Sequence, residues 1–234
     1  MTTLENRVVV ITGAAGGLGR VVTKTMGRQG ARLALIGGHA DRLAGLAAEL
    51  ETPAFTYAAN LADPGAAQAA AQAVAERYGQ VEVVLHLVGG WLGGKLVVET
   101  PASDLAEMLQ QHVWTTFYTA QAFVPYLTRN RWGRLIVVSA PTAVRPNAKS
   151  APYAIGKAGQ QALMLTLAQE LKGSGVTANS ILVSAIDTAH ERAQAPTPKN
   201  AGWAAPEEIA ALMVYLCSDD AQLVNGAQLP LYGG

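Results

Sequence analysis

The stretch that most constrains the fold is Arg7 to Gly19, RVVVITGAAGGLG. Arg7 to Thr12 is short, apolar and β-branched, and Gly13 stops it, so it reads as a buried strand. Leu18 to Gln29 reads as a helix, closed by Gly30 in a C-cap position. Between them lies TGAAGGLG, with Gly13, Ala15, Gly17, Leu18 and Gly19 at the turn. Glycines there permit a tight bend and let the backbone approach a pyrophosphate. The helix N-terminus then offers free N–H groups and the positive end of its dipole. Such glycines also mark ordinary turns; the strand before and the helix after are what make this a nucleotide-binding turn.

The same alternation runs through the chain. Strands are expected at Arg32 to Ile36, Ala54 to Ala58, Val81 to Val88, Arg134 to Ser139, Val176 to Val183 and Ala227 to Leu231. Helices are expected at Ala40 to Leu50, Pro64 to Tyr78 (Asp63 as cap), Ser103 to about Thr128 (Ser103 as cap), Ala151 to Lys172 and Pro206 to Ser218. Residues 189–205 carry prolines and read as a loop, a substrate lid. Strands alternating with helices specify a parallel sheet covered on both faces. The expected fold is a single-domain α/β Rossmann-type, doubly wound parallel sheet of about seven strands, spanning residues 1–234.

Composition narrows the function classes. Seventeen basic and seventeen acidic residues give a formal net charge of zero, and only 15% of residues are charged. No basic stripe suggests nucleic acid. The apolar runs are strand-sized, short of the ~20 residues of a membrane span. Met1 to Asn6 lacks the pattern of a signal peptide, and Cys217 is alone. The expectation is a cytoplasmic protein with a small-molecule substrate. His39, His86, His112 and His190 lie on different elements without ligand spacing, so no metal is expected.

Tyr153 and Lys157, in YAIGK, lie four apart on one helix face. A phenol titrates near pH ~10. A neighbouring ammonium favours phenolate, which suits a general acid/base. Such pairs also occur by chance on surface helices.

TGAAGGLG, YAIGK and the strand pattern together resemble the short-chain dehydrogenase/reductase family over the whole chain. The resemblance implies hydride transfer between nicotinamide C4 and a substrate carbon, with Tyr153 as proton donor or acceptor. Lys157 would bind the ribose hydroxyls and depress the tyrosine. Asn60-Leu61 resembles the adenine contact, and VSAIDT, Val183 to Thr188, the segment whose Ile186 and Thr188 hold the nicotinamide amide. AQLPLYGG resembles the last strand and terminal glycines. The resemblance also implies a homodimer or homotetramer built on the two long helices.

The departures are specific. The family's asparagine is His112 in HVWTTF, either a proton relay beside Lys157 or a polar filler. The family's NNAG is here His86-Leu87-Val88-Gly89, which leaves Val88 and Gly89 on the cofactor. The serine column, aligned from Gly133, falls on Ala140. Ser139 serves if the loop carries an insertion; otherwise the serine is lost and Thr142 is the nearest hydroxyl. After the second strand stand Gly37-Gly38-His39, with no acid for a ribose hydroxyl. NADP is therefore expected over NAD, with Arg42 and Arg20 as the nearest cations.

Gly89 to Gly94, GGWLGG, resembles a segment of the family's dihydropteridine reductase branch, and Trp114 and Trp203 match two further tryptophans there. Trp91, Trp114 and Trp203 would then line a pocket for a flat ring. Three readings stand: a reductase or dehydrogenase of a small carbonyl, alcohol or ring substrate; reduction of a quinonoid pterin; and a non-catalytic dinucleotide sensor on the same fold.

Overall fold

The computed structural model describes residues 4–232; Met1 to Thr3 and the terminal Gly233 and Gly234 lie outside the described residues. Seven parallel strands form one sheet: β1 (Val8–Thr12), β2 (Arg32–Gly37), β3 (Phe55–Ala58), β4 (Val83–His86), β5 (Gly133–Ser139), β6 (Val176–Leu182) and β7 (Gln228–Pro230). Their spatial order is β3-β2-β1-β4-β5-β6-β7.

The apolar runs split by period two between two cores. Val9 and Ile11, Leu33 and Leu35, and Val83 and Leu85 face one layer. It holds α1 (Gly17–Arg28), α2 (Ala40–Ala48) and α8 (Pro206–Leu216). Val8 and Val10, Ala34 and Ile36, and Leu135 and Val137 face the other. It holds α3 (Pro64–Tyr78), α5 (Thr115–Leu127) and α6 (Ala151–Glu170). Strands covered on both faces must be apolar on both, which is why these runs show no polar alternation. Each fully buried Val, Leu or Ile contributes roughly 1.5–3 kcal/mol.

Asp63 caps α3 as expected, its carboxylate accepting from the Ala66 N–H at 2.6 Å. Ser103 does not cap its helix. α4 (Ala102–Met108) is preceded by extended Pro101, and Ser103 already lies inside the first turn. The long helix is also not one α-helix. Between α4 and α5 it widens into a π-helical turn, Leu109–Trp114. Thr115 and Thr116 explain how this turn is tolerated: their hydroxyls donate to the carbonyls of Gln111 and His112, both at 2.6 Å. These side chains satisfy acceptors within the altered ladder.

The fourth strand is shorter than expected. Leu87 still donates its N–H to the Thr12 carbonyl at 3.1 Å, and from there the chain passes over the glycine turn, so close that a Cβ on Gly13 would meet the Leu87 carbonyl at 3.0 Å. Residues 189–205 are not all loop. Asp187 accepts from the Glu191 and Arg192 N–H groups and starts a short helix, α7 (Glu191–Gln194). An isolated parallel bridge joins Ile186 to Ala204. Among the described residues, no helix is long and apolar enough to cross a membrane.

Candidate active site

The strand order reverses beside β1, between β1 and β4, and there the carboxyl ends of the strands open into a crevice. Two adjoining clefts fill it. One, of about 530 Å³, lies over β1, β4, β5 and β6 and is lined by the glycine turn, Trp91, His112, Ser139, Tyr153, Lys157, Ile186 and Thr188. The other, of about 480 Å³, is lined by Ala15, Gly38, His39, Arg42, Asn60, Leu61 and Val88. Both share Gly13, Gly16, Leu87 and Gly89.

The glycine turn has the shape a dinucleotide requires. Gly13 holds φ +68°, a left-handed conformation that favours glycine. A Cβ on Gly19 would run into the Gly13 carbonyl and approach the Ala14 oxygen to 2.6 Å. α1 starts after Gly16 with no side-chain cap, so its first N–H groups stay available at the cleft. A Cβ on Gly17 would meet the Thr188 methyl at 3.0 Å, which brings the lid's base against this helix start.

Tyr153 and Lys157 both line the larger cleft, with the Lys157 Nζ 5.9 Å from the Tyr153 ring centroid. Burial pushes Tyr153 up to about 12 and Lys157 down to about 7. The sequence leads one to expect a phenol lowered by its lysine. Here the loss of water around both groups outweighs that attraction. The Tyr153 hydroxyl has no hydrogen-bond partner among the described residues.

His112 reaches the cleft from the π turn. Its Nε2 lies 2.9 Å from the Gly90 carbonyl, so Nε2 carries the proton. Its Nδ1 is then a buried acceptor with no protein partner. The ring meets the Tyr153 ring edge-on, with centroids 5.4 Å apart. Gly89 and Gly156 make its room: added Cβ atoms would lie 2.8 Å and 3.1 Å from the imidazole.

Behind it, His86 is tied at both nitrogens. Thr115 already donates its only hydroxyl proton to Gln111, so it accepts from His86 Nε2–H at 3.2 Å. His86 Nδ1 therefore accepts from Thr12 at 2.9 Å. Burial first, then the Lys157 charge, pulls both histidines down to about 3.

Ser139 lines the cleft, and its Oγ is buried without a partner. Ala140 and Thr142 do not line it. Of the three tryptophans, only Trp91 does. Trp114 is half exposed on the outer helix face, stacked on Tyr118 at 5.5 Å. The helix turns it away because His112, two residues earlier, faces inward. Trp203 is half-buried and does not line the cleft; its carbonyl accepts from Arg192.

Three residues escaped the sequence reading: Thr12, Thr116 and Gln160. Gln160 was findable, being a polar residue on the α6 stripe that also holds Lys157, Met164 and Leu167.

Residues 7–199 match the family model described as short chain dehydrogenase. A 3-oxoacyl-(acyl-carrier-protein) reductase of Thermotoga maritima is 28% identical over 99% of this chain and 98% of its own. A D-threitol dehydrogenase of Mycolicibacterium smegmatis is 28% identical over 99% of this chain and 93% of its own. A crystal structure of NAD+-bound xylitol dehydrogenase superimposes with a TM-score of 0.90 at 19% identity, covering 99% of both chains.

Proposed function

The chain belongs to the short-chain dehydrogenase family, and from that premise we propose that it is an NAD(P)-dependent oxidoreductase acting on a small, uncharged carbonyl, alcohol or ring substrate. The observation that carries this is Tyr153 and Lys157 facing one cleft that runs on into the glycine turn. Gly13, Ala15, Gly17, Leu18 and Gly19 would hold the pyrophosphate. Gly38, Asn60, Leu61, Val88 and Gly89 would hold the adenosine side and the ring's rim. Ile186 and Thr188 would hold the nicotinamide amide, and Lys157 the ribose. Bound nicotinamide dinucleotide supplies or accepts the hydride. Tyr153, protonated at neutral pH, gives its Oη proton to the developing alkoxide and takes it back in oxidation. Ser139 would donate a hydrogen bond to the same oxygen, a reading supported by its unpartnered Oγ on this cleft.

Among the described residues, Lys157 is the only charged side chain lining the larger cleft, since His112 is neutral there. That favours a substrate without carboxylate or phosphate at the reacting end. A quinonoid pterin is the second reading. It is favoured by Trp91 at the cleft and weakened because Trp114 and Trp203 lie elsewhere.

We propose NADP as the preferred cofactor, with Arg42 the residue that recognises it. Arg20 is engaged, its guanidinium paired with Glu49, whereas Arg42 lines the adenosine-side cleft beside Gly38 and His39. The test is steady-state oxidation of NADPH and NADH with cyclic ketones and with quinonoid dihydropterin. Arg42→Ala is expected to raise the NADPH KM roughly tenfold, as loss of a charge-assisted phosphate contact does, with NADH unchanged. Equal effects on both cofactors would overturn the assignment, and no turnover of any carbonyl or pterin would overturn the activity.

We further propose that α4, α5 and α6 form a subunit contact. Trp114, Phe117, Ile155 and Leu165 are large, apolar and exposed there. Light scattering is expected to give a dimer or tetramer mass; a monomer mass at micromolar concentration would remove the proposal.

A further inference from the structure

α6 buries one stripe against the sheet, and along most of it the side chains are apolar: Met164, Leu167 and Ala168. Gln160 breaks the stripe. It is fully buried, three residues after Lys157. A buried primary amide is costly unless its oxygen and nitrogen are both bonded. Both are. Its Oε1 accepts from Lys157 Nζ at 3.1 Å, and its Nε2 donates to Thr116 Oγ1 at 3.0 Å. Thr116 in turn donates to the His112 carbonyl at 2.6 Å. The amide can face only this way round, because an ammonium has no lone pair to offer.

The Val138 carbonyl takes a second Lys157 proton at 2.7 Å. Of the three N–H donors on an ammonium, two are thus fixed by the protein and one is left for the cleft. We propose that Gln160 is a positioning residue, which aims the Lys157 ammonium and sets its protonation. The chain through Thr116 ties that setting to the π turn bearing His112.

The choice of an amide is what matters. A carboxylate in its place would pair with Lys157 and hold it charged. A hydrocarbon would take away one acceptor and favour the neutral amine. The other titratable groups facing Lys157 are Tyr153 on its own helix, His112 on the π turn and His86 on β4; β5 contributes Val138 and Ser139, neither of which titrates in this range. None of these is a carboxylate, so Gln160 is the position at which one substitution could supply the missing negative charge. The assignment of a role in turnover rests on the oxidoreductase reading, but the coupling to Lys157 does not.

The test is an NMR titration of lysine Cε in the cofactor-free protein, with the Lys157 resonance identified by Lys157→Met. Wild type is expected to titrate near 7. Gln160→Glu is expected to raise that midpoint by about one unit or more, as an opposite charge at contact distance does. Gln160→Leu is expected to lower it. If Gln160→Leu does not fold, the near-isosteric Thr116→Val, which frees the far end of the amide, is expected to shift the midpoint as well. A midpoint in Gln160→Glu that matches wild type would overturn the proposal. A shifted midpoint in a protein that turns over no substrate would uphold it while removing the oxidoreductase reading. The two failures are therefore separable.

Discussion

Tyr153→Phe is expected to lower turnover by roughly 10²–10⁴-fold, the range for loss of a positioned general acid, while cofactor affinity stays within about twofold, well inside the ~1.4 kcal/mol that a tenfold change represents. The separation follows from geometry. The phenol hydroxyl has no hydrogen-bond partner among the described residues, so its removal breaks no structural bond. The ring remains, edge-on to His112 at 5.4 Å. What is lost is the one proton that burial holds on Tyr153 at neutral pH, with its value pushed up to about 12. Cofactor fluorescence titration and single-turnover hydride transfer would measure the two quantities separately. Full turnover in the phenylalanine variant would remove Tyr153 as the general acid, whereas wild type that binds cofactor but turns over no substrate would leave the non-catalytic dinucleotide sensor as the reading. A loss of binding equal to the loss of turnover would make Tyr153 a binding residue instead.

The second large effect is on stability in acid. His86 and His112 are neutral in the fold, pulled from 6.5 down to about 3, chiefly by burial. The unfolded chain protonates them near 6.5. Their contribution is therefore complete above pH 6.5 and is lost as pH falls from there toward 3. At pH 5 each histidine is 1.5 units below its unfolded value, which is about 2 kcal/mol apiece. Two such losses, about 4 kcal/mol together, are large against a total of roughly 5–15 kcal/mol. Lys157, lowered from 10.5 to about 7, changes its contribution mainly above pH 7 and adds less than about 1 kcal/mol, in the same direction, between pH 7.5 and pH 5.

The thermal midpoint is expected to fall by about 10 °C between pH 7.5 and pH 5, at roughly 2–4 °C per kcal/mol for a chain of this size. His112→Asn should lose about half of that slope, since one of the two titrations has been removed. Coincident melts at pH 7.5 and pH 5 would show that the imidazoles are hydrated or paired in solution. The hydrogen bonds themselves say why protonation is unfavourable. A second proton on His86 would have to be placed at Nδ1, where it already accepts from Thr12.

The parts of the site that one element supplies were legible early. RVVVIT followed by GAAGGLG was enough to read both the first strand and the turn that α1 opens, because the conformational demand is local: Gly13 must reach φ +68°. YAIGK placed Tyr153 and Lys157 together for the same reason, a helix repeat. Asp63 was readable as a cap because the cap closes within three residues. Other readings fared differently. Ser103 looked like a cap, but extended Pro101 had already started the helix. Trp114 and Trp203 were grouped with Trp91 by resemblance, yet of the three only Trp91 lines the cleft.

By itself, the sequence determined the alternation of strands and helices, the glycine turn and the Tyr153–Lys157 pair, since each depends on residues no more than about one helical turn apart. Only the tertiary structure decided the rest. It chose Ser139 over Thr142 as the hydroxyl lining the cleft, left Arg42 at the cleft by engaging Arg20, and reversed the expected titration of Tyr153. It also brought Gln160, Thr116 and His112 into one chain behind Lys157. Those outcomes depend on which groups lose water and which distant carbonyl lies within hydrogen-bond reach, and sequence spacing carries neither.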